Sequence, residues 1–229
     1  MELSKRLQCI ANQVTRGSSV ADIGTDHGYI PIYLYQQNRI IKGIAMDIGK
    51  GPLEKAKMNI HYYKASSVIE TRQSDGLEKL QPGEVDTIII AGMGGLLIQN
   101  ILARKIFLLR TLKRLILQPQ KNQDIVRYFL HKNGFQISNE HIVKEEGHFY
   151  TIITAVPGEE KYKRKADYLF GKKLIEEKNA LLKEYISEQL RLSDDILKKM
   201  QGKTTEGAKK RREEVIEFKK VCREVLTWL

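Results

Sequence analysis

The chain has 229 residues, 41% apolar and 29% charged, a balance that excludes wholesale disorder and allows one α/β core with an appendage. Lys and Arg outnumber Asp and Glu 39 to 28, for a formal charge of +11, so a polyanion is the expected partner. The 2 cysteines, Cys9 and Cys222, and the 5 scattered histidines fit no zinc spacing, disulfide framework or other metal cluster. No leader segment is read, nor any run of the ~18 apolar residues that a membrane span needs. The expectation is a reduced, cytoplasmic, monomeric protein with no metal and no membrane partner.

In chain order, Leu3, Leu7, Ile10 and Val14 share one face of an opening helix, which Gly17 ends. Short apolar strands are expected at 20–23, 43–46, 68–73, 85–91 and 115–117. Helices lie between them, one over 52–63 starting on Pro52 and one over 122–133 stopped by Gly134. Two further strands, 135–143 and 150–156, flank Glu145-Glu-Gly-His148 like a hairpin. Repeated strand–helix alternation predicts an α/β fold with a mostly parallel sheet covered on both faces. The late pair without a crossover predicts a final antiparallel strand.

After Pro157-Gly158 the strand pattern stops. The expected division is 1–158 for the α/β domain and 159–229 for a helical one. A helix is expected over 168–200, a turn over 201–207, then a second helix. There Ala208, Val215, Cys222 and Leu229 stand at heptad spacing, interleaved with Phe218 and Val225 and interrupted by Arg211. Such a pair makes a coiled-coil-like antiparallel hairpin.

The chemistry is concentrated at strand ends. Val20-Ala-Asp-Ile-Gly-Thr-Asp-His-Gly-Tyr29 is a strand, a glycine loop and a helix start, where backbone can approach a ligand closely. Asp22, Gly24, Asp26, His27 and Gly28 are the candidate loop residues. Asp47 ends the next strand at the ~20-residue spacing of a ribose-binding acid, and Ile48 after it can pack on an adenine. Asp75 and Gly76 follow the third strand, where an acid can accept from the adenine amino group; an Asp-Gly turn is the plain alternative. The fourth strand runs into Ala91-Gly-Met-Gly-Gly95. Ala91 and Gly92 are assigned to the cofactor side, Met93, Gly94 and Gly95 to the substrate side. Gln118-Pro119-Gln120 ends a strand facing the same crevice, as a pocket border or a simple terminator.

A dinucleotide site requires G-x-G-x-x-G, and this loop reads G-T-D-H-G. Asp26 would repel a pyrophosphate at a helix N-terminus and would favour the cationic end of S-adenosylmethionine. That charge argument selects a methyl donor over NAD.

These motifs together, D-I-G-T-D-H-G-Y-I-P, A-M-D-I, Q-S-D-G-L and I-I-I-A-G-M-G-G, resemble those of the bacterial tRNA (adenine-N1)-methyltransferase family TrmK. The resemblance spans most of 1–158. It implies a Rossmann-like methyltransferase domain, a helical C-terminal domain, S-adenosyl-L-methionine as cofactor, and methylation of tRNA at N1 of adenine 22. Asp26 and His27 are candidate catalytic groups, and Tyr29 is a candidate to stack on the extruded base. Lys163, Arg164, Lys209 and Arg211, from the basic clusters, are candidate RNA contacts. Alternatives open at this point are a methyltransferase for a small molecule or protein, and a non-catalytic RNA-binding protein with the same fold.

Overall fold

A computed structural model describes all residues, Met1–Leu229, in two units, Met1–Lys161 and Tyr162–Leu229. The first holds a 7-stranded sheet. Its strands are β1 (Ser18–Ile23), β2 (Ile40–Asp47), β3 (Ile69–Gln73), β4 (Thr87–Met93), β5 (Arg114–Pro119), β6 (Phe135–Glu145) and β7 (His148–Pro157). The order is β3-β2-β1-β4-β5-β7-β6. The pairings β1–β2, β1–β4, β2–β3 and β4–β5 are parallel, while β7 runs antiparallel to both β5 and β6. The order reverses beside β1, so the crevice for a ligand opens at the carboxyl ends of β1 and β4.

The helices of this unit are α1 (Lys5–Asn12), α2 (Tyr29–Gln36), α3 (Lys50–Tyr62), α4 (Gly95–Arg104), α5 (Ile106–Leu109) and α6 (Gln123–Lys132). The central strands are mostly apolar in their middles, as strands covered on both sheet faces are. Val20, Ile89, Ile116 and Ile152 join Ile10, Ile32 and Ile60 from α1, α2 and α3 in one core. The alternating residues Ile88, Ile90, Leu115 and Leu117 are also buried, as the two-residue period of a strand requires. Helices α4 and α6 pack against each other. Local sequence sets the helix ends: Ser4 Oγ accepts from Leu7 N at the start of α1, and Gly134, at φ 76°, follows α6. Between β6 and β7 only Glu146 and Gly147 intervene, at φ 48° and 79°, the two left-handed positions of a tight hairpin turn.

One boundary differs usefully from the sequence expectation. The fourth strand is displaced toward the site and includes Gly92 and Met93, with its β5 register shifting between Ala91 and Met93. Gly92, at φ 76°, absorbs that irregularity.

The second unit contains α7 (Lys165–Phe170), α8 (Lys172–Glu176), α9 (Ala180–Lys199) and α10 (Glu206–Leu226). The helix expected over 168–200 is therefore three helices. Gly171 and Lys178 stand at φ 91° and 49°, conformations that cannot continue a right-handed helix. Asn179 then caps α9 by accepting from Leu181 N and Leu182 N. In α10, Val215, Cys222 and Val225 are buried, whereas Arg211 is exposed and pairs with Glu214 at 3.1 Å. Arg212 donates to the Met200 carbonyl at 2.8 Å, and Lys219 pairs with Asp194. Partners descend along α9 as they climb along α10, so the two helices run antiparallel. No helix is long and apolar enough to cross a membrane.

Candidate active site

The glycine loop between β1 and α2 is tied to β2 through its backbone. Gly24 N and Thr25 N both donate to the Met46 carbonyl, at 2.8 and 3.0 Å. Gly28 N closes the turn on the Thr25 carbonyl at 3.0 Å, and Asn59 Nδ2 from α3 holds the His27 carbonyl at 2.9 Å. Gly24, Asp26 and Gly28 all have positive φ, 73°, 51° and 73°. Asp is among the few non-glycine residues that tolerate that region. At Gly24 a Cβ would lie 2.4 Å from Met93 Cε, so the Met93 side chain rests in the space that the missing Cβ leaves.

Asp22 lies under this loop, 4% exposed, with the Thr25 hydroxyl donating to its Oδ2 at 2.7 Å. Burial pushes its carboxyl up to about 6; the Thr25 hydrogen bond opposes this and the charge of Asp47 adds to it. Asp47 is bound by the Gly49 amide at 2.8 Å through Oδ1, before α3. Ser74 N donates to the Asp47 carbonyl at 2.9 Å, which draws the third strand end to the same edge.

A cavity of about 320 Å³ opens where these strands end. Of the residues expected from sequence, Asp22, Gly24, Asp26, Tyr29, Ala91 and Gly92 line it, with Thr25 and Gln120. Ile30 from α2, with Leu7 and Arg6 from α1, completes the wall; none of the three was expected. Arg6 Nη1 donates to Gln118 Oε1 at 3.0 Å, and Gly92 N donates to the same oxygen at 3.1 Å. Sequence could not reveal this contact, because Arg6 and Gln118 are 112 residues apart and no local pattern joins them.

The other expected residues lie around the cavity. His27 stacks on Tyr29, with centroids 5.1 Å apart and rings 9° from parallel, and its Nε2 is 3.5 Å from Asp26 Oδ1. Ile48 is exposed, and Gln73 Nε2 donates to its carbonyl at 3.0 Å. Asp75 is paired with Arg104 of α4 at 2.9 Å. Gly76, at φ 54°, sits under Ile101, and a Cβ there would meet its Cγ2 at 2.9 Å. Met93 covers Gly24, and Gly94 precedes α4 as its N-cap. Gly95 has a packing reason of its own: its amide donates to the Lys121 carbonyl at 2.8 Å, and a Cβ would strike the Asn122 carbonyl at 2.4 Å.

In the second unit, Lys163, Arg164, Lys209 and Arg211 are all exposed. Arg164 is engaged within its own unit: Nε and Nη2 fork onto Asp167 at 3.0 and 2.6 Å, and the guanidinium lies over the Trp228 ring at 4.5 Å.

The sequence profile of the family described as tRNA (adenine(22)-N(1))-methyltransferase matches residues 20–222. A protein of that description from Bacillus subtilis is 34% identical over 232 residues, covering 99% of this chain and 98% of its own. The crystal structure of the B. subtilis tRNA methyltransferase TrmK superposes with a TM-score of 0.90 at 35% identity, covering 98% of this chain and 99% of that one. A Streptococcus pneumoniae structure in complex with S-adenosyl-L-methionine superposes with a TM-score of 0.87 at 31% identity, covering 98% of this chain and 100% of that one. With the strand order and glycine loop already described, these likenesses show that the chain belongs to the tRNA (adenine(22)-N(1))-methyltransferase family, TrmK.

Proposed function

We propose that the chain transfers a methyl group from S-adenosylmethionine to N1 of adenine 22 in tRNA. The observation that carries this reading is the acid-lined cavity at the ends of β1 and β4, with Gly24 and Gly92 in its wall. The residues present fit the cofactor: Gly24 and Gly92 bring side-chain-free backbone at positive φ to the cavity wall, and Asp22 and Asp26 border the space, a donor set suited to a cationic ligand and not to a pyrophosphate. S-adenosylmethionine, when bound, supplies an activated methyl group on a sulfonium.

In this reading Asp22, Gly24, Asp26, His27, Gly28, Ala91 and Gly92 form the floor and rim of the methyl-donor site. Asp47, Ile48, Asp75 and Gly76 border its nucleoside half on the neighbouring strand ends. Tyr29, exposed on one ring face and stacked on His27 by the other, offers a platform for an unpaired base. N1 lies on the pairing edge of adenine, so the base must leave its stack to react. The Asp26 carboxylate, 70% exposed, compensates the positive charge that appears on the base as N1 is alkylated. His27, next to it, can take the proton that the amino group later loses. Met93, Gly94 and Gly95 border the approach of the base, and the exposed cations of residues 159–229, among them Lys163, Lys209 and Arg211, hold tRNA phosphates. The two free thiols, Cys9 and Cys222, suit a reducing cytoplasm, and the working form is a monomer.

The test is transfer of tritiated methyl groups to unmodified tRNA, followed by nucleoside analysis. Label recovered as 1-methyladenosine, lost when adenine 22 is replaced, is the expected result. Label on another base or on protein refutes the proposal.

A further inference from the structure

Leu96 and Leu97 belong to none of the motifs read from sequence. They are 53% and 52% exposed and adjacent in the first turn of α4, whose other large apolar residues, Ile98, Ile101 and Leu102, are buried. One leucine in water is ordinary; two together on the rim of a site call for a reason. The topology puts them on that rim. From the centre of the sheet, β1 leads through α2 to β2 in one direction, and β4 leads through α4 to β5 in the other. Right-handed crossovers that run in opposite directions carry their helices to opposite faces of the sheet. The starts of α2 and α4 therefore flank the crevice as two jaws, with Tyr29 on the first and Leu96 and Leu97 on the second.

The second jaw is firmly mounted. Gln120 N donates to the Met93 carbonyl and Gly95 N to the Lys121 carbonyl, both at 2.8 Å. These bonds clamp the start of α4 to the segment after β5, where Gln120 lines the cavity. Only glycine allows the clamp, since a Cβ on Gly95 would lie 2.4 Å from the Asn122 carbonyl oxygen. The Lys121 side chain lies over Gly94, its Cε 3.7 Å from where a Cβ would stand. Lys121 is exposed, so a cation stands at the same helix start as the two leucines.

An adenine that reacts at N1 must leave its stack, and the unstacked step it leaves is costly unless an apolar side chain enters it. Leucine suits that gap: it lies against base faces and brings no polar atom that would need a partner. A cation next to it suits the backbone phosphate that borders the gap. Resting on the tRNA reading above, we propose that Leu96 and Leu97 are positioning residues, a wedge that enters the tRNA stack where adenine 22 leaves it, with Lys121 on the adjoining phosphate.

The test uses the full chain saturated with S-adenosylhomocysteine and a tRNA carrying the fluorescent base 2-aminopurine next to position 22. Wild-type protein should raise the fluorescence about threefold or more, as a leucine replaces the stacked neighbour that quenches it. Leu96→Ala with Leu97→Ala should give less than about a third of that rise at saturating protein, and should slow single-turnover methylation of ordinary tRNA about tenfold. Tm and S-adenosylhomocysteine affinity should stay as in wild type, because both side chains are exposed. Leu96→Met with Leu97→Met, apolar and as long, should restore most of both signals. A tRNA with an abasic ribose beside adenine 22 is already poorly stacked there, so wild type and the alanine pair should methylate it at nearly equal rates. An alanine pair that keeps the full rise and rate overturns the wedge. So does one that only weakens tRNA affinity, or one that is equally slow on the abasic tRNA. Wild-type protein that methylates adenine 22 with no rise overturns it too. Wild-type protein that binds S-adenosylhomocysteine yet methylates no tRNA removes the tRNA reading itself, an outcome distinct from the failure of the wedge.

Discussion

Replacing Asp22 by Asn tests whether the site is held at the expense of stability. The carboxyl is raised from 3.8 to about 6, with burial as the main cause. At 1.36 kcal/mol per pH unit, that displacement amounts to about 3 kcal/mol. Because the folded form prefers the neutral acid, folding carries no penalty from this group below the unfolded pKa. The penalty grows as pH rises from about 4 to about 6 and is complete above that. Asparagine keeps an oxygen for the Thr25 hydroxyl and never ionises. Asp22→Asn should therefore stabilise the protein at pH 7.5 by about 1–3 kcal/mol, a rise of roughly 2–12 °C in Tm for a chain of this size. At pH 4 the two proteins should melt together. Circular dichroism melts at both pH values measure the difference, and S-adenosylhomocysteine affinity should fall in the same variant. A variant destabilised at pH 7.5, or displaced equally at both pH values, would refute the reasoning.

Gly24→Ala forces an L-residue to φ 73° at a cost of about 1–2 kcal/mol, and drives its Cβ onto Met93 Cε; Tm should fall by roughly 2–8 °C. Adding Met93→Ala should recover only the part due to the collision, as scanning calorimetry of the single and double variants will show. Asp26→Asn should slow single-turnover methylation at saturating cofactor by about tenfold to a hundredfold, and an unchanged rate removes Asp26 from the chemistry. Lys209→Glu with Lys210→Glu should flatten the salt dependence of tRNA binding by about one to two units of log–log slope. Calorimetry with S-adenosylhomocysteine should show that pair of substitutions leaving ligand affinity unchanged.

The sheet was largely legible because its signals are local. Apolar runs such as Ile88-Ile89-Ile90 end in acids or glycines, and the turn at Glu146-Gly147 carries its own conformational signature. The loop acids were legible for the same reason, since each stands at the end of a strand. Three features escaped, each through a physical cause that composition conceals. Apolar periodicity continues through 168–200, yet left-handed backbone at Gly171 and Lys178 cuts the segment into separate helices. Arg164 reads as a surface cation and is one, but its fork onto Asp167, which is 4% exposed, leaves no mark in the sequence. Arg6 reads as part of an ordinary amphipathic helix. Its meaning comes from Gln118, a partner that only the finished sheet brings near.

The position of β7 has a consequence for how the molecule is assembled. It is the last strand to be synthesised, yet it occupies the slot between β5 and β6. Until it arrives, the outer rim of β5 offers bare amides and carbonyls to any neighbouring chain. The two-residue turn lets β6 and β7 zip together first and then dock as a preformed ribbon. A lesion at Gly147, where φ is 79°, would delay that docking and lengthen the interval in which nascent chains can stick to one another. Such damage would reduce the yield of folded protein more than the activity of each molecule that folds.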